Sequence, residues 1–377
     1  MPKKRRLDFA QLEESLARYL QRSGVATAKE ARAVLGISQP AFSRLVARMR
    51  DRVLKAGSGP RLRYAYRRGI QGVDAPIPVY EIDESGRALR TAALHPIHPR
   101  GFHLDPEGFY DDLPYLFEDL RPSGFLGRLV PRQHPELHLP EDVRAWSADH
   151  CLRYLTRCAW DTVGNFILGE EAFRVYLERV PSLSNPVPET DRASHYARLA
   201  DSVLVGGTPG SSAAGEQPKF LALRATPFTH VLVKFSPAIR DEVSRRIADL
   251  LVCEHLALEL LRERGVPASA STLIEGEGRV FLEVERFDRV GALGRRGVIS
   301  LRALDLQFVG RLGRWTETAE ALCEQGRIDT DARLRIRWLD LFGSLIANTD
   351  MHPANLSFFL KGGAPRERLE QYTPERP

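Results

Sequence analysis

At 377 residues, with 43% hydrophobic and 27% charged side chains, the chain has the make-up of a folded protein with room for two or three domains. No segment approaches the ~20 uninterrupted apolar residues of a membrane-spanning helix. The opening MPKKRRLDFA lacks the apolar stretch of a secretory signal, so a cytoplasmic chain is expected. Cys151, Cys158, Cys253 and Cys323 are too scattered for a paired CxxC metal site and too few for a disulfide framework, which predicts reduced, mostly buried thiols. The net charge of +5 conceals an asymmetry: residues 1–72 carry 17 Lys and Arg against 5 Asp and Glu, a net of +12, leaving −7 for the rest. A basic block on an acidic chain points to a polyanion partner for that block alone, because neutralising phosphates releases counterions.

Within the block, Phe9, Leu12, Leu16, Tyr19 and Leu20 have the spacing of an amphipathic helix. Thr27 is placed to cap a second helix, TAKEARAVLG; Gly36 suits the left-handed position after it, and Ser38 starts a third, SQPAFSRLVARM. Helix, short glycine-containing turn, helix is the arrangement that presents the second of the two to the DNA major groove. Ser38, Gln39, Ser43 and Arg44 are the exposed positions available to bases or phosphates, over a core of Ala28, Ala31, Leu35, Ile37, Phe42, Leu45 and Val46. VLKAGSGPRLRYAYRRG then reads as a β-hairpin wing offering Arg61, Arg63, Arg67 and Arg68 to phosphates. A helical protein-interaction module with a solvated charged face is the competing reading; the coincidence of turn, wing and charge favours DNA. The prolines and glycine of QGVDAPIPVYEID mark a linker feeding a strand.

Residues 78–195 mix strands (PVYEID, ALRTAAL) with helices (WSADHCLRYLTRCAWDTVGNFI, EEAFRVYLERV) and show no catalytic spacing. His95, His98, His103, His134, His138 and His150 lie beside Pro and Leu, positions that suit loops better than a shared metal shell. From Ser202, SVLVGGTPGSSAAGEQPKFLALR reads as a strand, a Gly/Ser loop and a second strand. Such a loop can curl its backbone N–H groups around phosphates, although an ordinary hairpin turn has the same composition.

The next strand, THVLVKFSP, sets Lys234 among apolar neighbours, where an ammonium needs an anion unless the strand is an edge and the side chain turns to water. In kinases a lysine one strand after the glycine-rich loop binds the nucleotide phosphates. A long amphipathic helix over 241–264 follows, from which Glu242 or Glu254 is placed to meet Lys234. VFLEVERFDRV ends a strand at Glu285 and Phe287, offering backbone groups and an apolar wall to an adenine. In SLIANTDMHPANLSFFL an apolar helix delivers Asp350 to a loop, with Asn355 five residues on before another strand. That spacing copies the kinase catalytic loop, in which an Asp accepts the substrate hydroxyl proton and an Asn holds magnesium.

GEQPKF, VLVKF, VERFDR and NTDMHPANLSFF, in this order, resemble the signature segments of HipA, the serine/threonine kinase of persistence-type toxin–antitoxin pairs. YDDLPYLFEDLRPSGFLGR is similar to the segment that closes the small N-terminal domain of such proteins, and the added winged helix-turn-helix is similar to the YjjJ-like subgroup. Over residues 78–360 the resemblance implies Gly215, Gln217 and Lys219 in the phosphate loop, Lys234 on the α/β-phosphates, Glu285 and Phe287 near adenine, Asp350 as catalytic base and Asn355 on magnesium. It implies ATP and Mg2+ as cofactors, a protein Ser/Thr as acceptor, and autophosphorylation at Ser212, beside Ser211, as a switch competing with nucleotide for the loop. It leaves an antitoxin and a homodimer open as partners.

The pattern fails in one place. These kinases use a second metal-binding Asp on a strand after the catalytic loop, and residues 361–377, KGGAPRERLEQYTPERP, contain none and read as a disordered tail. That suggests a truncated C-terminal lobe, with the apolar face over 339–346 left without packing partners. The expected architecture is α+β: a winged helix-turn-helix over 1–72, a HipA-like N-terminal subdomain over 73–195, a kinase-like domain over 196–360 with an antiparallel sheet beside the phosphate loop, and a tail over 361–377. The expected function is phosphotransfer from ATP to a protein Ser/Thr with DNA binding in cis. The alternative is a DNA-binding regulator whose kinase-like domain is inactive.

Overall fold

A computed structural model describes residues 8–179, 186–206, 217–360 and 370–372, organised as two compact α+β units. The first takes in Met1–Val79, Arg90–Pro114 and Leu168–Glu170; the second takes in Tyr80–Leu89, Tyr115–Ile167 and Glu171–Pro377.

The first unit opens with α1 (Phe9–Ser23), β1 (Val25–Ala26), α2 (Ala28–Leu35), α3 (Gln39–Arg48), β2 (Val53–Ala56) and β3 (Arg63–Tyr66). The Asp8 carboxylate caps α1 by accepting from the Ala10 amide, and Thr27 and Glu30 cap α2 reciprocally, each cap being worth about 1 kcal/mol. Gly36 ends α2 at φ 64°, a left-handed conformation that lets the chain turn at once into α3. Leu16, Leu20, Ala31, Phe42, Leu45 and Met49 form the core beneath the antiparallel sheet β1-β3-β2. Phe42 meets Tyr64 of the wing edge-on at 5.1 Å. The expected helix-turn-helix and wing are both present.

β4 (Ile77–Ile82) and β5 (Ala88–Pro96) are the two strands expected after the linker, and β5 continues antiparallel into β6 (Phe102–Asp105) and β7 (Gly108–Tyr110). On β5, His95 Nδ1 lies 2.7 Å from the Arg67 guanidinium and its ring lies 5.9 Å from that of His103. Burial, with the Arg67 charge adding to it, pushes His95 down from 6.5 to about 4. The folded unit therefore refuses a proton that the unfolded chain accepts. Its stability should fall, by about 1–2 kcal/mol once solvent screening of this partly exposed ring is allowed for, as the pH drops from 6.5 towards 4. Urea midpoints at neutral pH and at about pH 5 measure this; an identical acid loss in a His95→Gln variant would contradict it.

The chain continues with α4 (Gly124–Gln133), α5 (Ala148–Leu155), β8 (Phe166–Leu168), α6 (Glu170–Arg179) and α7 (Arg192–Gly206), which apart from Leu168–Glu170 belong to the second unit. Two expectations are corrected here. The helix read over 146–167 is only α5: Gly164 turns at φ 77° and Asp161 is drawn into an ion cluster described below. The strand read from Ser202 is the last part of α7, because Tyr196, Ala197 and Ala200 recur at helical spacing against the core, and a four-residue apolar run cannot report that period.

β9 (Lys219–Arg224), β10 (Thr229–Phe235), α8 (Glu242–Glu263), β11 (Ser271–Gly276) and β12 (Arg279–Glu285) come next, the strands forming an antiparallel sheet of order β11-β12-β10-β9. Strand alternation gives the sheet two apolar faces. Val231, Val233, Phe235 and Phe281 pack with Tyr196 and Ala200 of α7, whereas Val280, Leu282 and Val284 pack with Ala248, Leu251 and Leu258 of α8.

The chain then runs through β13 (Arg289–Val290), β14 (Gly294–Arg295), β15 (Val298–Ser300), α9 (Leu301–Phe308), α10 (Trp315–Glu324), α11 (Thr330–Leu345), β16 (Ser357–Phe359) and β17 (Glu370–Tyr372). β17 pairs with β16, so three residues of the segment expected to be disordered form a strand; 361–369 and 373–377 lie outside the described residues. Ser300 caps α9 and is itself held by Asp119, whose carboxylate accepts the Ser300 amide at 2.7 Å and hydroxyl at 2.5 Å. Asp119→Ala should cost about 2 kcal/mol by stranding that amide, as read in a urea melt; a loss below about 0.5 kcal/mol would refute the role. On α11, Leu339 is buried, contrary to expectation, while Leu334, Trp338, Leu341 and Leu345 form an exposed apolar stripe.

Candidate active site and nucleic-acid face

Because Val233 and Phe235 point towards α7, Lys234 between them points towards α8. Its side chain is only 3% exposed and its ammonium meets the Glu254 carboxylate at 2.5 Å. A buried ammonium without a counter-charge would be costly, and Glu254 supplies it. Of the two glutamates weighed from the sequence, Glu242 occupies the exposed first position of α8. Lys219 on β9 is the register partner of Lys234, so its side chain leaves the sheet on the same face. Gln217 donates its Nε2 to the Phe235 carbonyl at 3.2 Å, fixing the start of the segment that leads into β9 beside the end of β10. Gly215, Ser211 and Ser212 lie outside the described residues.

At the end of β12 the Glu285 amide donates to Ala270 O at 2.8 Å and its carboxylate accepts from Arg224 at 2.7 Å. Arg224 lies on β9, and its side chain reaches across the sheet to both Glu283 and Glu285. The Phe287 ring lies edge-on to Phe359 of β16, with centroids 6.2 Å apart.

The loop after α11 is shaped by its own side chains. Asn348 Oδ1 accepts the Asp350 amide at 3.1 Å, and Asn355 Nδ2 donates to the Asp350 carbonyl at 2.6 Å. A short turn, Pro353–Asn355, then leads into β16. The Asp350 carboxylate is 54% exposed, 3.5 Å from His352 Nε2, whereas Asn355 is buried. Asn348 was missed in the sequence; an Asn two residues before a loop residue is an Asx-turn signal that could have found it.

The structure thus brings Lys234 to Glu254 and Asp350 to Asn355 as two separate pairs. β12, the neighbour of β10, leads through Phe287 to β16, which begins two residues after Asn355.

The VERFDR segment carries a further buried cluster. Arg286 and Arg289 both reach Asp161, at 3.1 and 2.6 Å, and both reach Asp288, at 3.0 and 2.7 Å. Asp288 also accepts the Gly164 amide at 2.8 Å. Burial opposes the charge of Asp161, but the Arg286 and Arg289 guanidiniums outweigh it and hold its carboxyl far below the usual range. Asp288 is held low by the same two guanidiniums against the same burial. No sequence spacing announces this cluster, because Asp161 and Arg289 are 128 residues apart.

On the first unit, Ser38, Gln39, Ser43 and Arg44 are exposed at the start of α3; Gln39 Nε2 donates to Ser43 Oγ at 3.4 Å, and Gln39 Oε1 accepts from Arg32 at 3.1 Å. Arg61 is exposed on the wing. The other wing arginines are partly spent inside the unit: Arg63 donates to Pro60 O at 2.9 Å, Arg67 meets His95, and Arg68 donates to Ile97 O at 3.0 Å and lies over the Phe102 ring. The expectation that Arg67 and Arg68 face phosphates is therefore corrected. Among the described residues no helix is long and apolar enough to cross a membrane.

Residues 73–177 match the family described as YjjJ-like toxin, middle domain, and residues 211–374 match the HipA-like C-terminal domain. The chain is 39% identical over 348 residues to Toxin YjjJ of Escherichia coli (strain K12), covering 89% of this chain and 77% of that protein. Among solved structures it is similar to the Shewanella oneidensis MR-1 HipA in complex with HipB and its operator DNA, at 15% identity and a TM-score of 0.49, covering 79% of this chain and 74% of that one. It is also similar to the Helicobacter pylori proinflammatory kinase CtkA, at 14% identity and a TM-score of 0.32, covering 42% of this chain and 52% of that one. With both family domains in order and identity of this extent to a YjjJ toxin, the chain belongs to the HipA family of toxins, in its YjjJ-like group.

Proposed function

We propose that this chain is an ATP-dependent protein kinase of the HipA type that phosphorylates a protein Ser or Thr and binds DNA through its own N-terminal module. The observation that carries the reading is the buried Lys234–Glu254 pair: a strand lysine held by a helix glutamate is the arrangement that positions nucleotide phosphates in protein kinases. In this reading Lys234 binds the α/β-phosphates with Gln217 and Lys219 at the adjoining loop, and Phe287 supplies an apolar wall to the base. Asp350 accepts the proton of the acceptor hydroxyl as its oxygen attacks the γ-phosphorus and the bond to ADP breaks.

Asn355 fits a magnesium ion by donor chemistry: with Nδ2 committed to the Asp350 carbonyl, the hard oxygen Oδ1 of its amide is the atom that would bind the cation. Bound there, magnesium would neutralise charge on the phosphates. Transfer from γ-labelled ATP to a protein acceptor should depend on magnesium and vanish in Asp350→Ala; incorporation unaffected by that change would sink the proposal.

A second reading is a DNA-binding regulator with an inactive kinase-like domain, in line with Lys234 and Asp350 each being engaged in a separate pair. It expects operator binding together with weak, magnesium-independent ATP binding and no phosphotransfer. For DNA, Arg44→Ala and Arg61→Ala should each weaken binding across sequences and lower the slope of log affinity against log salt by about 1. Unchanged salt slopes in both would remove the phosphate contacts. The HipA complex of Shewanella contains HipB and operator DNA, and an antitoxin of that kind is the partner proposed here.

A further inference from the structure

The chain before the phosphotransfer motifs holds a cluster that the kinase reading leaves unused. His134 ends α4, its amide donating to Val130 O at 2.9 Å, and the chain turns at once through Pro135–Leu137. Glu136 stands in that turn. Cys158 lies just beyond α5, its amide donating to Tyr154 O at 2.9 Å. The two segments are tied together: Arg153 of α5 donates to Leu137 O at 2.5 Å, and the His134 and Tyr154 rings sit 5.8 Å apart.

This packing gathers an imidazole nitrogen, a carboxylate oxygen and a thiol sulfur within 4.8 Å of one another. His134 and Cys158 are half-buried, and Glu136 is exposed. The sequence drew attention to histidines, and only one of those six takes part, because the other two ligand types come from the turn and from a different helix end.

We infer that His134, Glu136 and Cys158 form a zinc-binding site. The mixed nitrogen, oxygen and sulfur set suits a borderline-soft ion better than magnesium or calcium, which prefer oxygen alone. With Zn–S near 2.3 Å and Zn–N or Zn–O near 2.0–2.1 Å, a tetrahedral ion needs its ligands roughly 3.3–3.8 Å apart. His134 Nδ1 and Glu136 Oε1 are already at 3.2 Å. The sulfur has at most about 1–1.5 Å to close, and the exposed Glu136 side chain is able to follow it.

Three protein ligands leave a fourth position for water, and binding releases the thiol proton to solvent. The neighbouring cation Arg157 is engaged by Glu171 at 3.2 Å, so its charge is not turned unopposed on the ion. A plain His134–Glu136 ion pair beside an inert thiol is the competing explanation, and it predicts no stoichiometric metal.

The test uses the full chain stripped with a chelator and titrated with zinc by calorimetry, and with cobalt(II) by absorption. One zinc per chain is expected, with the intense visible bands of tetrahedral cobalt and a sulfur-to-cobalt charge-transfer band. Cys158→Ser should abolish the charge-transfer band, and each of Cys158→Ser, His134→Gln and Glu136→Gln should weaken zinc by more than about tenfold. Glu136 is exposed, so its variant remains folded and keeps the test valid if Cys158→Ser does not. Absence of stoichiometric zinc, or zinc affinity and cobalt spectra unchanged in the Cys158 and Glu136 variants, overturns the inference. The phosphotransfer reading is untouched by either result, since none of these residues belongs to it.

Discussion

Lys234→Met is expected to lower phosphotransfer by about 10²–10³-fold, the usual loss when one charge-stabilising donor is removed from a closed site. It should also lower stability, because Glu254, whose side chain is only 15% exposed, is left facing the gap without its partner. Breaking a buried pair from one side costs about 3–5 kcal/mol. Glu254→Gln should retain more stability, since an amide tolerates burial, yet still lose activity as the ammonium is no longer oriented. The double variant Lys234→Met/Glu254→Leu separates the two effects: replacing both charges with apolar groups should restore most of the stability and none of the transfer. Urea unfolding alongside incorporation from γ-labelled ATP measures both. If the single Lys234 variant transfers phosphate at the parental rate, the lysine does not serve the nucleotide.

The second large effect concerns the ion cluster at VERFDR. Asp161→Ala removes the carboxylate that both Arg286 and Arg289 reach, leaving two guanidiniums, each no more than 10% exposed, with Asp288 as their shared acidic partner. The expected cost is about 3–5 kcal/mol, comparable with much of the stability of an ordinary domain. Since the folded state holds Asp161 and Asp288 ionised below the ordinary carboxylate range, their contribution is complete above an ordinary Asp pKa and is lost as the pH falls through their depressed values. Asp161→Asn should therefore be destabilising at neutral pH and should flatten the acid limb of the unfolding curve. A neutral-pH midpoint unchanged in both variants would show that the cluster is not holding the chain between residues 161 and 289 together.

Much of this protein is local. Thr27, Gly36 and the apolar spacing of α1 to α3 are decided within a turn or two of chain, and the helix-turn-helix and wing follow from them. The Asp350-to-Asn355 spacing is equally local, and the Asn355 bond to the Asp350 carbonyl closes a loop whose length alone made it readable. Where the reading went astray, the deciding atoms were distant. The stretch from Ser202 is helical because Tyr196 and Ala200 lie against a sheet formed by residues after it. Arg67 and Arg68 turn inward because β5 lies beside the wing.

By itself, then, the sequence determined the helix-turn-helix and wing, the charge of the first block and the family, because periodicity, capping and motif spacing are properties of neighbouring residues. Only the tertiary structure decided that Glu254 and not Glu242 meets Lys234, that Asp161 joins the VERFDR arginines, and that His134, Glu136 and Cys158 share one corner. The physical reason is the same in each case. Burial makes a charge or a ligand atom depend on what faces it across the fold, and which groups face each other is set by packing, to which spacing along the chain gives no access.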